Sequence, residues 1–398
     1  MRDLAAIVGI AESEYTKWGR LTRCTEYQLA LETIVAAVAD AGLTMDDVDG
    51  FASFSNDRNE FSFVATDLGV PRVAWAGTTW IVGGGGACAA VGEAAAAIAS
   101  GRARCVVVYR SIAMGQFRRF GRALAGDVQG VRPQDAALGF ALPFGFLNAT
   151  VGMALLVRRH MHLYGTSEEH LGHVAVTFRA HANRNPAAVM YGRPMTLADH
   201  AAAPRIVEPF GLLDCCLETD GANALVLVSP ERARDCRHRP VHVVAAAQGS
   251  GPRWGCGAWA MQYMPEEDYA TGNGRTVADD LWRAAGVGPA DVDVAQLYDH
   301  YSGMVLLQLE DFGFCARGES GPFAASGALR WPDGALPTNT AGGSLSEAYV
   351  HGLNHVVEGV KQLRGTAVNQ VADAELCLVA SGSGIPTSAL LLRRGERA

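Results

Sequence analysis

Apolar positions along the chain fall into two alternating rhythms. The first is the short continuous run: Cys105-Val106-Val107-Val108-Tyr109, Ala224-Leu225-Val226-Leu227-Val228, Leu376-Cys377-Leu378-Val379-Ala380 and Ala389-Leu390-Leu391-Leu392. Runs this rich in Leu and β-branched residues predict strands covered on both faces. The opening stretch Ala5-Ala6-Ile7-Val8-Gly9-Ile10 reads as another buried strand. The second rhythm is helical. Leu29, Leu31, Ile34, Val35 and Val38 recur at helix spacing, and Val277, Leu281 and Trp282 do so more sparsely. Further helices are predicted over 87–100, 304–312 and 349–363. Buried strands alternating with helices give an α/β fold.

The order of these elements repeats. Ala41-Gly42-Leu43-Thr44-Met45-Asp46-Asp47-Val48-Asp49 is echoed by Ala285-Gly286-Val287-Gly288-Pro289-Ala290-Asp291-Val292-Asp293, with Ala41 to Ala285 and Asp47 to Asp291 both 244 residues apart. Each copy closes a helix at a glycine and leads into a strand, Gly50-Phe51-Ala52-Ser53-Phe54 or Val294-Ala295-Gln296-Leu297-Tyr298. Two duplicated halves are therefore expected, about 1–235 and 236–398. The first carries an insertion over roughly 115–214, helix-like around 153–162 and 167–182 and punctuated at Pro143, Gly165, Pro186 and Pro194. Insertions of this length form either a cap over a site or a plain packing subdomain.

Composition narrows the function classes. The 398 residues are 49% hydrophobic and 19% charged, ordinary for a globular enzyme. A net charge of −8 leaves no basic footprint for nucleic acid. No apolar run approaches the roughly 20 residues that span a bilayer, and Glu12 and Glu14 interrupt the first apolar stretch too early for a signal peptide. Nine scattered cysteines fit a reducing cytosol, so a cytoplasmic protein is expected. Cys215-Cys216 has no Cys/His companions, which argues against zinc.

Three stretches can carry chemistry. Gly83-Gly84-Gly85-Gly86 opens a small-residue helix and offers free backbone N–H groups where negative charge develops. It lacks the Gly-Lys-Ser/Thr of a phosphate loop. Cys88 follows one turn on, where a buried structural thiol is the plainer reading. Tyr298-Asp299-His300-Tyr301 ends a strand, where α/β sheets face their ligands. A tyrosine can move a proton, although its ordinary pKa of about 10 must fall for base work. Asp299 and His300 are adjacent on a strand, point to opposite faces and are not expected to act together. Gly342-Gly343 precedes a polar cluster of Tyr349, His351, Asn354 and His355. His351 and His355 are one helical turn apart but lack a neighbouring carboxylate, so no metal is expected. No Gly-x-Ser-x-Gly elbow is present, and Ser381-Gly382-Ser383-Gly384 reads as a strand-end turn.

Together these residues resemble the thiolase superfamily, in its sterol-carrier-protein or lipid-transfer branch. The likeness rests on the Ala-rich helix ending at Ser100-Gly101 and on Asn185-Pro186. It continues through Pro209-Phe210-Gly211-Leu212-Leu213-Asp214-Cys215-Cys216 and Thr219-Asp220-Gly221-Ala222. In the second half it rests on Leu309-Glu310-Asp311-Phe312-Gly313-Phe314-Cys315, Leu336-Pro337-Thr338-Asn339 and Gln362-Leu363-Arg364-Gly365. The resemblance implies two similar halves in a five-layer α-β-α-β-α sandwich, normally dimeric. It also places the family's functional positions. The nucleophilic cysteine falls on Gly84, the active-site histidine on Tyr349, the oxyanion-hole residue on Tyr298 and the second cysteine near Ser381.

A frame without its thiolate cannot form an acyl-enzyme. The pattern resembles the steroid side-chain aldolases of that branch, which implies retro-aldol cleavage of a tertiary β-hydroxyacyl-CoA to propionyl-CoA and a steroid ketone. The implied roles are Tyr298 and Tyr349 as the acid–base pair, with either able to be the base. Backbone groups at Gly84, Gly382 and Gly384 beside Ser381 would meet the enolate, and His300 and His351 would tune a tyrosine or orient substrate. No cofactor is implied beyond the CoA thioester of the substrate. A small OB-fold, zinc-ribbon partner subunit is. The competing readings are a non-catalytic acyl-CoA or lipid carrier or scaffold subunit, and a thiolase-type acyltransferase using Cys88.

Overall fold

The computed structural model describes residues 3–54, 57–79, 83–117, 142–146, 148–251, 271, 274–382 and 387–396. The first half runs β1 (Ala5–Glu12), α1 (Glu26–Asp40), β2 (Gly50–Phe54), β3 (Trp75–Thr79), α2 (Ala87–Ala99) and β4 (Cys105–Ala113). It continues through the insertion helices α3 (Ala149–Tyr164) and α4 (Glu168–Ala182) to β5 (Thr219–Val228). The second half runs β6 (Val241–Gly249), α5 (Gly274–Ala285), β7 (Val294–Leu297), α6 (Ser302–Asp311), α7 (Leu353–Arg364), β8 (Leu376–Ser381) and β9 (Thr387–Arg394).

The acidic repeat has a local physical cause. Each copy forms a 3₁₀ turn, Met45–Asp47 or Pro289–Asp291. In each, the last aspartate accepts the backbone N–H three residues earlier: Asp47 from Thr44 and Asp291 from Gly288, both at 2.9 Å. Two residues on, a second aspartate pins the start of a neighbouring strand. Asp49 accepts from the N–H groups of Arg104 and Cys105 ahead of β4, and Asp293 from those of Glu375 and Leu376 ahead of β8.

The strands lie in one mixed sheet in the order β7-β8-β9-β6-β1-β5-β4-β2-β3. Read outward from the centre, β1-β5-β4-β2 and β6-β9-β8-β7 are the same arrangement: two antiparallel pairings, then a parallel one. The halves meet where β1 pairs antiparallel with β6, Ala5 opposite Val243 and Ile7 opposite Val241. Strand parity then sorts the core into layers. On β4, Val106 and Val108 face the central helices α2 and α7, while Cys105, Val107 and Tyr109 face α1. On β8, Cys377 and Val379 join the same central layer, while Leu378 and Ala380 face α5 and α6. The sequence of layers is α1, first half-sheet, α2 with α7, second half-sheet, α5 with α6. This is the five-layer α/β sandwich.

The insertion packs on the second half. A Cβ on Gly303 of α6 would stand 2.7 Å from Val157 of α3 and 3.1 Å from Leu171 of α4, so glycine permits their close approach. One expected element differs. The segment at 349–352 is not helical; α7 begins at Leu353, after His351 at φ +49° and Gly352 at φ +86°. Both angles lie in the left-handed region, which a continuous helix cannot contain.

Candidate active site

The site is built where the two half-sheets end. Tyr298 follows β7 and is 3% exposed. Gln308 of α6 clamps its backbone from both sides: the Tyr298 N–H donates to Oε1 at 3.2 Å, and Nε2 donates to the Tyr298 carbonyl at 2.8 Å. Tyr349 is held in the same way from the other half. Its N–H donates to Thr219 Oγ1 at 2.9 Å, and that hydroxyl donates back to the Tyr349 carbonyl at 3.1 Å. So fixed, the phenols meet, with Tyr298 donating to Tyr349 Oη at 2.9 Å.

Gly84 is the complement of Tyr298. A Cβ at Gly84 would lie 2.0 Å from Tyr298 Cζ and 2.1 Å from its Oη. The phenol fills the volume that any side chain at position 84 would claim. Gly83 at φ +86° turns the chain into the Gly84–Gly86 turn ahead of α2. Ser388 Oγ ties that turn to β9, accepting from the Ala89 N–H at 3.1 Å and donating to the Gly85 carbonyl at 2.5 Å. Ser381, at the end of β8, is fully buried beside the Cys88 thiol. A Cβ on Gly352 would lie 3.1 Å from both Ser381 Oγ and Tyr298 Cδ2, so these three also converge. Gly382 follows at φ +73°. Gly384 lies outside the described residues.

The histidines divide among different tasks. The His300 ring stacks on Tyr298, centroids 4.8 Å apart, and burial lowers its pKa to about 4. His351 stands edge-on to Tyr349 at 5.1 Å. Its Nδ1 accepts from Arg110 Nη2 at 3.0 Å, and burial followed by the Arg110 charge holds its pKa well below the usual range. The ring is therefore neutral with its proton on Nε2. His355, expected one turn from His351 on a shared helix, faces elsewhere: its Nε2 lies 3.1 Å from Asp299 Oδ1 and 3.1 Å from Ser344 Oγ. Asp299 in turn accepts from the N–H groups of Ser344 and Leu345 at 2.7 and 3.1 Å, fixing the loop that leads to Tyr349. Among the described residues no cluster of three His, Cys, Asp or Glu side chains is arranged to hold a metal.

Burial dominates the electrostatics. It raises both phenols above their ordinary pKa, Tyr298 strongly. On Tyr349 two influences oppose it, the hydrogen bond from Tyr298 and the charge of Arg110. Cys88 is fully buried in α2, its thiol donates to the Val379 carbonyl at 3.3 Å, and burial pushes its pKa to about 12. Such a thiol is neither accessible nor ionised.

Sequence reasoning missed the roles of Arg110, Thr219 and Gln308. A signal existed for Arg110: a lone charge interrupts the apolar run of β4 on the row of Val106 and Val108. None existed for Thr219 or Gln308, because their partners are backbone groups.

The thiolase C-terminal domain-like family matches residues 255–392. The chain is 44% identical over 389 residues to 17-hydroxy-3-oxo-4-pregnene-20-carboxyl-CoA lyase of Mycobacterium tuberculosis, covering 98% of each chain. It is also 44% identical over 389 residues to a steroid side-chain-cleaving aldolase of Thermomonospora curvata, covering 98% of this chain and 97% of that one. A solved structure described as an Ltp2-ChsH2(DUF35) aldolase superposes with a TM-score of 0.91 at 42% identity, covering 99% of this chain and 98% of the other.

Proposed function

The chain belongs to the thiolase-superfamily branch of steroid side-chain-cleaving aldolases, and we propose that it is an acyl-CoA retro-aldolase working through its tyrosine pair. The substrate is a tertiary β-hydroxyacyl-CoA of a steroid side chain, and the products are a shorter acyl-CoA, propionyl-CoA in the simplest case, and a steroid ketone. One tyrosine of the pair, as its phenolate, takes the proton of the β-hydroxyl as its C–O becomes a carbonyl, and a proton passed along the Tyr298–Tyr349 hydrogen bond resets the pair after turnover. The Cα–Cβ bond breaks, and its electron pair passes into the thioester as an enolate. The other phenol returns a proton to the α-carbon. Backbone N–H groups near Gly84 and Gly382 stabilise the enolate oxygen.

The observation that carries this reading is the Tyr298–Tyr349 hydrogen bond at 2.9 Å in the space that Gly84 leaves open. A raised phenol pKa suits the task. It makes the phenolate a stronger base towards an alcohol, at the cost of its population at neutral pH. Turnover is accordingly expected to rise from pH 7 into the alkaline range. No cofactor beyond the CoA thioester enters this scheme. The buried state of Cys88 disfavours an acyltransferase built on it.

The complex named for the solved relative supports a small partner subunit of the DUF35 kind. Co-expression with such a subunit, compared with the chain alone, tests whether activity requires it. For the chemistry, Tyr298→Phe and Tyr349→Phe are assayed on a tertiary β-hydroxyacyl-CoA. Each is expected to lose at least about a hundredfold in turnover, the scale of general acid–base catalysis. Near-wild-type rates in both would remove the tyrosine pair from the chemistry, whereas no cleavage by the wild type, alone or with the partner, would leave the carrier or scaffold reading.

A further inference from the structure

Among the described residues Arg110 is the largest fully buried side chain, 2% exposed, in the second half of β4. Strand parity sets it on the row of Val106, Val108 and Ile112. Val106 and Val108 pack in the central layer, and Ile112 packs beneath Tyr349 with Ala348 and Val350. Its guanidinium spans two partners. Nη1 donates to Asp57 Oδ2 at 2.9 Å and Nη2 to His351 Nδ1 at 3.0 Å, while Nε has no partner among the described residues. A guanidinium kept only for an ion pair is poorly repaid here, because removing it from water costs more than one carboxylate returns and a donor stays unused. What the arrangement does achieve is to aim a cation and a neutral imidazole at one side of Tyr349. The His351 ring stands nearly perpendicular to that phenol, at 89°.

We infer that Arg110 is a positioning residue for Tyr349: it fixes the tautomer and orientation of His351 behind the phenol and places a buried positive charge on that side of the tyrosine pair. The inference rests on the acid–base reading of Tyr349 and deepens it. The groups facing Tyr349 come from several elements. Tyr298 and Tyr301 follow β7, the Cys216 thiol precedes β5, His351 shares the Tyr349 loop, and Arg110 comes from β4. Asp57 sits behind Arg110, and Arg58 acts on His351. Of those facing the phenol, Arg110 is the cation, so its charge favours ionisation at Tyr349 over Tyr298.

The test is the pH dependence of turnover in the full-length chain with a tertiary β-hydroxyacyl-CoA that the wild type cleaves. Arg110→Met is made together with Asp57→Asn, so that no buried carboxylate is left unpaired, and Arg110→Lys is made alone. In the double variant the rising limb of kcat is expected to move about one pH unit to the alkaline side, roughly tenfold lower turnover at pH 7 recovered at higher pH, with KM within about twofold. Arg110→Lys is expected to restore part of the shift. A limb that superposes on the wild type in a folded double variant overturns the inference. So does a loss that is the same at every pH and untouched by lysine, since that marks a merely structural role. Tyr349→Phe separates the two levels: an active Tyr349→Phe enzyme removes the acid–base reading itself, whereas an inactive one beside an unshifted double variant removes only the role of Arg110.

Discussion

Position 84 shows how the absence of a side chain at one residue makes room for a ring from the other half of the chain. A Cβ there would stand 2.0 Å from Tyr298 Cζ, so nothing larger than hydrogen fits while the phenol stays in place. Gly84→Ala is therefore expected to displace the Tyr298 ring by about 1 Å or more and to lower turnover by roughly a hundredfold. The accompanying overpacking should cost about 1–3 kcal/mol of stability. Steady-state rates and thermal melting check both, and wild-type turnover in a folded variant would show that Tyr298 need not occupy that volume. The glycine was visible in the sequence as part of a run of four, but its partner was not. A close approach between residues more than 200 positions apart leaves no local pattern, and only the family resemblance brought positions 84 and 298 to one place.

At the scale of elements, each tyrosine owes its place to a neighbour that grips its backbone. Thr219, the first residue of β5, is both acceptor and donor for Tyr349. Thr219→Val keeps the shape and removes both bonds, leaving a part-buried peptide N–H and carbonyl of Tyr349 without these partners. A loss of about 1–3 kcal/mol in stability is expected, with a larger fractional loss in kcat than in KM. Thr219→Ser, which keeps the hydroxyl, should restore most of each; melting temperature and steady-state kinetics read the outcome. Equal activity in Thr219→Val would show that the loop is held without it. What the sequence revealed at this scale follows the range of the forces involved. The acidic turns were legible because Asp47 and Asp291 bond within three residues. The strands were legible because burial on both faces demands continuous apolar runs. The helix expected from 349 was not formed before Leu353, because His351 and Gly352 take left-handed conformations held by the Arg110 contact and the loop pinned by Asp299. The glycine at 352 was the one local hint of that break.

For the whole molecule, the duplication places the site on the seam rather than within either half. We place the division near 235/236, between β5 and β6. On that division Tyr298, Tyr349, Ser381 and Gln308 belong to the second half, while Gly84, Arg110, Cys216 and Thr219 belong to the first. The central layer is shared in the same way. Val356, Val357 and Val360 of α7 pack in one cluster with Val91 and Ala94 of α2 and with strand residues of both half-sheets. The Cys88 thiol and the Ala89 N–H reach Val379 and Ser388 across the seam. A segment of residues 236–398 made alone would expose one face of α7 and the β6 edge. The hydrophobic burial that orders a half-sheet would then be missing from its inner side. It is expected to show no cooperative unfolding transition and no turnover, although it carries both tyrosines. Co-expressed with residues 1–235 it should regain both, because the lost contacts are noncovalent and lie along one continuous interface. Denaturant titration followed by circular dichroism, with turnover measured on the same samples, decides the matter. A cooperative transition with turnover in the second half alone would mean that the tyrosine pair is set by its own half, and that the Thr219 and Arg110 contacts across the seam are incidental to it.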